Sequence, residues 1–172
     1  MKKIRSIWAT LLLLYCGVNT INAQCINQMN WKKTMGGSYG DAFYSVTATN
    51  DGGYIAAGET RSFNGDIKGN HGVLTTDMWV VKFNANGQVE WSKVFGGSNN
   101  EAGISIIQTN DGGYLVAGYT ESSSLQKKDE RGDVTYNDHG LPGLMWKKEC
   151  WVIKLNSQGE KEWDKSFGGT GD

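Results

Sequence analysis

Asp51-Gly52-Gly53-Tyr54-Ile55-Ala56-Ala57-Gly58-Glu59-Thr60 returns later in the chain as Asp111-Gly112-Gly113-Tyr114-Leu115-Val116-Ala117-Gly118-Tyr119-Thr120. A second phrase follows each copy. Trp79-Val80-Val81-Lys82-Phe83-Asn84, leading to Gly87, Trp91 and Phe95-Gly96-Gly97, recurs as Trp151-Val152-Ile153-Lys154-Leu155-Asn156, leading to Gly159, Trp163 and Phe167-Gly168-Gly169. Ordered self-similarity of this kind marks a chain built from repeated supersecondary units.

Each unit is expected to hold four β-strands. In the first they are Tyr44 to Thr49, Tyr54 to Thr60, Met78 to Phe83 and Gln88 to Phe95. The Asp-Gly of Asn50-Asp51-Gly52-Gly53 signals a tight hairpin turn, because such turns need positive φ. Asn86-Gly87 signals a second turn. On the third strand, alternation places Trp79, Val81 and Phe83 on one face and Met78, Val80 and Lys82 on the other. Ala57 and Gly58 are small enough to let a neighbouring sheet come close. Four short strands joined by tight turns form the pattern of a propeller blade. The expected fold is therefore all-β, with β-propeller-like blades of four antiparallel strands in an incomplete ring. Trp79, Val81, Trp91, Trp151, Ile153 and Trp163 are expected to be buried between sheets.

The ends of the chain add to this organisation. Lys2, Lys3 and Arg5 precede an apolar stretch to Leu14, and Ile21-Asn22-Ala23 offers a small residue for cleavage before Gln24, the layout of a secretory signal peptide over residues 1–23. A lipoprotein anchor at Cys16 is the rival reading, opposed by the bulky Tyr15. Within residues 24–172, Asn30 to Gly37 aligns with Glu90 to Gly97, so 24–37 is expected to carry a lone fourth strand. Repeat 1 then spans 38–97 and repeat 2 spans 98–169, while 170–172 begin another unit. A ring takes about four to eight blades, so the chain is expected to be the amino-terminal fragment of a longer protein whose remaining blades are its partners.

Composition narrows the function classes. Losing the leader removes three of the 17 cations and none of the 18 anions, which leaves a net charge of −4. Mild acidity argues against nucleic acid or an anionic membrane as partner, and no run is long enough for a transmembrane segment. The 24 glycines against one proline recur at fixed repeat positions, as turn punctuation does. Of the cysteines left after cleavage, Cys25 and Cys150 either pair, which export permits, or remain two thiols.

The loop between second and third strands is the candidate site. Gly65-Asp66-Ile67-Lys68-Gly69-Asn70-His71-Gly72 corresponds to Gly132-Asp133-Val134-Thr135-Tyr136-Asn137-Asp138-His139-Gly140. Asn64, Asp66 and Asn70, with Asp133 and Asn137 in the second loop, supply oxygens of the kind that a calcium loop uses. Lys68 occupies a ligand position, however, and no downstream Glu completes the pattern. The competing reading is that these side chains cap turns by bonding to backbone. One histidine per repeat, with no second His or Cys beside it, is a weak zinc signal. Trp146 is the one tryptophan of the non-repeated loop and a candidate for sugar stacking. Arg131-Gly132-Asp133 spells an adhesion tripeptide but is the ordinary loop phrase preceded by Arg. No spacing selects a catalytic carboxylate pair, and no other cofactor is called for.

The phrases NDGGYIAAGET (50–60), DMWVVKFNANGQVEWSKVFGG (77–97) and SFNGDIKGNHG (62–72) together resemble the repeats of large secreted or surface proteins of Bacteroidetes, many of which end in a type IX secretion sorting domain. The resemblance covers Trp31 to Asp172. It implies an extracellular β-propeller-like module and transfers no catalytic residues. The expected function is a non-catalytic binding or structural module, secreted or at the cell surface, for a glycan or protein ligand. The alternative is an extracellular propeller-type hydrolase acting on glycans.

Overall fold

The computed structural model describes residues 31–71, 74–122, 133–135 and 148–168. The signal-peptide region, Cys16, Cys25, Asn137, His139 and Trp146 lie outside them. Among the described residues the chain is all-β, with eight strands in two four-stranded antiparallel sheets and no helix. Sheet 1 holds β1 (Asp41–Ala48), β2 (Tyr54–Thr60), β3 (Asp77–Phe83) and β4 (Val89–Phe95). Sheet 2 holds β5 (Glu101–Gln108), β6 (Tyr114–Thr120), β7 (Glu149–Leu155) and β8 (Lys161–Phe167). Each meanders in sequence order, as a blade does, and the two do not close into a ring.

The sheets match down to their irregularities. Register shifts fall between Phe43 and Ser45 and between Gly103 and Ser105, then again between Lys82 and Phe83 and between Lys154 and Leu155. In the first hairpin the Thr49 and Gly53 backbones pair across Asn50-Asp51-Gly52, with φ of 80° at Gly52. That is a three-residue loop whose last position needs a glycine. The first strand starts earlier than expected, at Asp41, because the bulge lets the ladder continue to Thr60.

Gly58 serves a different purpose from the one expected. A Cβ there would collide with the Ala42 carbonyl and lie 2.7 Å from Phe43 Cα, so this glycine accommodates the bulge of β1 within its own sheet. Close approach between sheets occurs at Ala57, whose Cβ lies 3.1 Å from the Cβ position of Gly103.

The alternation on β3 divides the core. Met78 and Val80, with Ile55, Ala57 and Phe95, pack against Ile106, Tyr114, Val116, Trp151, Ile153 and Leu155 of sheet 2. Trp79, Val81 and Phe83 form the other face with Ala56 and the loop residue Ile67, flanked by Met35. Four of the six expected core residues are thus buried, and Trp91 is half-buried against sheet 2. Trp163 departs from expectation at 44 % exposure, because no described residue covers its side of sheet 2. Residues 31–37, expected as a lone fourth strand, form no strand, and no described strand pairs with them. Cys150 is exposed and in no disulfide among the described residues.

Candidate functional site

The β2–β3 loop is anchored in the same way in both units. The Asp66 N–H donates to the Gly36 carbonyl at 3.1 Å and the Asp133 N–H donates to the Gly96 carbonyl at 2.7 Å. The next residue then enters the core, as Ile67 in unit 1 and Val134 in unit 2. An Asp-aliphatic pair is therefore what fixes the loop to the sheet.

Beyond that anchor the candidate calcium ligands serve separate ends. Asp66 Oδ2 accepts from the Gly36 N–H at 3.0 Å, and Asn70 Nδ2 donates to the Ser62 carbonyl at 3.1 Å. Asn64 Oδ1 accepts from the Ser38 N–H at 2.9 Å. Asp133 instead faces His71, with Nε2 and Oδ2 3.5 Å apart. Among the described residues no group of three or more His, Cys, Asp or Glu is arranged to hold a metal ion.

What the fold brings together is a histidine and carboxylates where the two units meet. His71 Nδ1 lies 3.1 Å from Asp77 Oδ2, and its backbone N–H donates to the same oxygen at 2.5 Å. Asp77 is fully buried, and its Oδ1 has no hydrogen-bond partner. Glu101, also fully buried, lies across Gly96 from Asp77. The hydrogen bond to Asp77 raises the His71 pKa against the opposing effect of burial, with the charges of Asp77, Asp133 and Glu101 adding to the rise. Burial pushes the carboxyls of Glu101 and Asp133 up. The imidazole of the unit 1 loop thus lies between Asp77, at 3.1 Å, and Asp133 of the unit 2 loop, at 3.5 Å.

Glu101 has a counterpart that explains it. Its carboxylate accepts from Thr120 Oγ1 at 2.7 Å, the Ser122 N–H at 3.2 Å and the Gly97 N–H at 2.8 Å. In unit 1, Asp41 accepts from Thr60 Oγ1 at 2.5 Å, Ser62 Oγ at 2.8 Å and the Gly37 N–H at 2.8 Å. An acid at the start of the first strand thus ties the Gly-Gly turn to the end of the second. Burial opposes ionisation of Asp41, but these bonds outweigh it and lower its pKa.

A second recurring constellation lies at the other end of each sheet. Lys82 Nζ donates to Asp51 Oδ2 and Glu90 Oε2, both at 2.8 Å, and to the Phe83 carbonyl at 3.0 Å. Lys154 repeats it with Asp111 at 2.9 Å, Glu162 at 3.0 Å and the Leu155 carbonyl at 3.1 Å. Lys82 is only 2 % exposed. Burial alone would lower its pKa, yet Asp51 and Glu90 raise it, and Lys82 in turn holds Asp51 well below the usual carboxylate range. This explains the second glycine of the Asp-Gly-Gly phrase. A Cβ at Gly53 would sit 2.8 Å from Lys82 Nζ and nearer still to the Phe83 carbonyl.

Sequence reasoning missed both constellations. Their signal was present as Asp or Glu at 41 and 101, and as Lys82 and Lys154 following the apolar runs Met78 to Val81 and Cys150 to Ile153. No protein-family model matches the chain, and no curated protein matches it significantly.

Proposed function

We propose that this chain is a non-catalytic binding or structural module of a secreted or cell-surface protein, built from propeller-type β units. The observation that carries the reading is the commitment of charge to structure. Lys82 and Lys154, with their paired carboxylates, and Asp41 and Glu101, with their turn bonds, do the same work in both units. A scaffold of that kind leaves its connecting loops to vary and to contact a ligand. The leader over residues 1–23 and the resemblance to Bacteroidetes surface repeats support export, and among the described residues no helix is long and apolar enough to cross a membrane. The partners are the remaining blades of a longer protein and an extracellular glycan or protein.

One observation favours the hydrolase as a second reading. His71 stands between Asp77 and Asp133 with Glu101 nearby, and acids whose pKa values are raised are what general acid catalysis uses. A glycan array run beside a panel of chromogenic glycosides separates the two. Binding without turnover is expected. Turnover abolished by Glu101→Gln or Asp133→Asn would overturn the module reading in favour of the enzyme.

A further inference from the structure

Sheet 2 turns one face toward sheet 1 and one away, and the repeat shows what the second face is built to do. On sheet 1 the corresponding face is buried: Ile55, Ala57, Met78 and Val80 are inaccessible and Phe95 is 5 % exposed, all under sheet 2. The same repeat positions on sheet 2 are Leu115, Ala117, Cys150, Val152 and Phe167. Ala117 and Cys150 are exposed, Leu115 and Val152 are half-buried, and Phe167 is 55 % exposed. Ile107, paired with Leu115 on this face, is 52 % exposed. A contiguous apolar sheet face of this kind marks an interaction surface.

A tryptophan staple defines the mode of docking. Trp91 of β4 reaches sheet 2 and lies over the turn glycine Gly159, whose Cβ position is 2.9 Å from Trp91 Cε3. Its ring meets Tyr114 edge-on at 5.8 Å, and its Nε1–H donates to the Ser157 carbonyl at 3.2 Å. Trp31 makes the same staple one unit earlier, over Gly87 and edge-on to Tyr54 at 5.7 Å. Trp163 is the third tryptophan in this series, paired across β7 to Lys154 as Trp91 is across β3 to Lys82. It covers no glycine among the described residues.

We propose that the outer face of sheet 2 is a docking face for one further four-stranded unit of this same repeat. That unit is received by Trp163 stapling onto the glycine of its Asn-x-x-Gly turn, with an aromatic at the start of its second strand as the edge-on partner. The sockets within the chain select this occupant over a second copy. Gly87 is already under Trp31 and Gly159 under Trp91, so a second copy presents no empty socket to Trp163. The inference holds whether the module binds its ligand or turns it over.

The test adds a third unit to the whole chain. Five residues, 96–100, join Phe95 to β5, and five, 168–172, follow Phe167, so residues 101–168 appended after Asp172 enter at the same spacing. Acrylamide quenching of tryptophan fluorescence, compared with and without Trp163→Phe, is expected to show Trp163 shielded in the three-unit protein and accessible in the two-unit chain. Trp163→Ala is expected to leave the two-unit melting temperature nearly unchanged and to lower that of the three-unit protein by roughly 5 °C. Equal quenching in both proteins, or a neutral Trp163→Ala in both, overturns the proposal. So does an appended unit that stays unfolded beside a folded chain, whether copied from 101–168 or from 41–95. Sedimentation showing a native dimer that Trp163→Ala dissolves would make a second copy the occupant and overturn it equally.

Discussion

Replacing Gly53 by Ala should destabilise the protein far more than replacing Gly52, although Gly52 is the residue with positive φ. At Gly52 (φ 80°) an added Cβ meets only Ala85 Cβ at 3.9 Å, so the cost is conformational. It amounts to about 1 kcal/mol, the left-handed penalty partly offset by lower entropy of the unfolded chain. At Gly53 the added Cβ meets Lys82 Nζ at 2.8 Å, Asp51 Oδ1 at 3.1 Å and, closest, the Phe83 carbonyl of the adjacent strand. Gly53 cannot retreat, because its N–H donates to Asp51 Oδ1 at 2.9 Å and its carbonyl accepts from the Thr49 N–H at 2.9 Å. Overpacking against backbone, added to a weakened charged hydrogen-bond set on a buried lysine, comes to roughly 4 kcal/mol. Urea titration followed by tryptophan fluorescence measures both variants. Lys82→Met in the Gly53→Ala background should recover part of the loss, since one of the two colliding atoms is gone, and Gly113→Ala should repeat the effect in unit 2. A Gly52→Ala cost equal to or above that of Gly53→Ala, or strict additivity of Gly53→Ala and Lys82→Met, would refute the reasoning.

Three further outcomes are expected. His71 is raised by Asp77, Asp133 and Glu101, so its stabilising contribution is full below the unfolded histidine value of about 6.5 and is lost as pH rises through the folded value. Urea midpoints between pH 5.5 and 8.5 should therefore fall less steeply for His71→Gln than for the parent. Glu101 and Asp133, also raised, favour the folded state at low pH in the same sense, so some slope should survive in that variant near the carboxylate range. Asp51 is lowered chiefly by the bond from Lys82, and Asp111 first by that from Thr109 and then by that from Lys154; their contribution is present above the unfolded value and lost as pH falls through the folded one. The double variant Asp51→Asn, Asp111→Asn should accordingly show a flatter acid limb below about pH 4 in thermal melts. Finally, because Asp66 and Asn70 bond to backbone and Asp133 faces His71, the melting temperature should be the same in millimolar calcium and in chelator; a rise with calcium, as linkage requires of a native-state ligand, would support the metal reading.

The strands, their order and their turns were legible because they rest on local chemistry. The second strand runs from Tyr54 to Thr60 as read from the sequence, and the alternation on β3 sorted the two core faces correctly. Features set by a distant partner were not legible. Gly58 looked like an inter-sheet contact and is a bulge contact, because a glycine in a strand does not say which backbone approaches it. Lys82 and Asp51 lie 31 residues apart, and only the paired register of β2 and β3 brings them together. His71 and Asp133 belong to different units, so no motif within one unit could have joined them.

Comparing the two copies recovers part of what one copy hides. Trp79 and Trp151, Val81 and Ile153, and Lys82 and Lys154 are buried in both units. These residues find their cover within their own sheet, in their own loops or on the amino-terminal side. Met78 and Cys150, Ala57 and Ala117, and Phe95 and Phe167 differ, buried in the first unit and exposed in the second. In unit 1 those positions are covered by the sheet that follows. A blade of this kind is therefore complete on one face and dependent on its successor on the other, as expected when stability is a sum of unit and nearest-neighbour terms. The Trp91 staple is the sharpest instance of that dependence: it is encoded in one unit, and its glycine socket in the next.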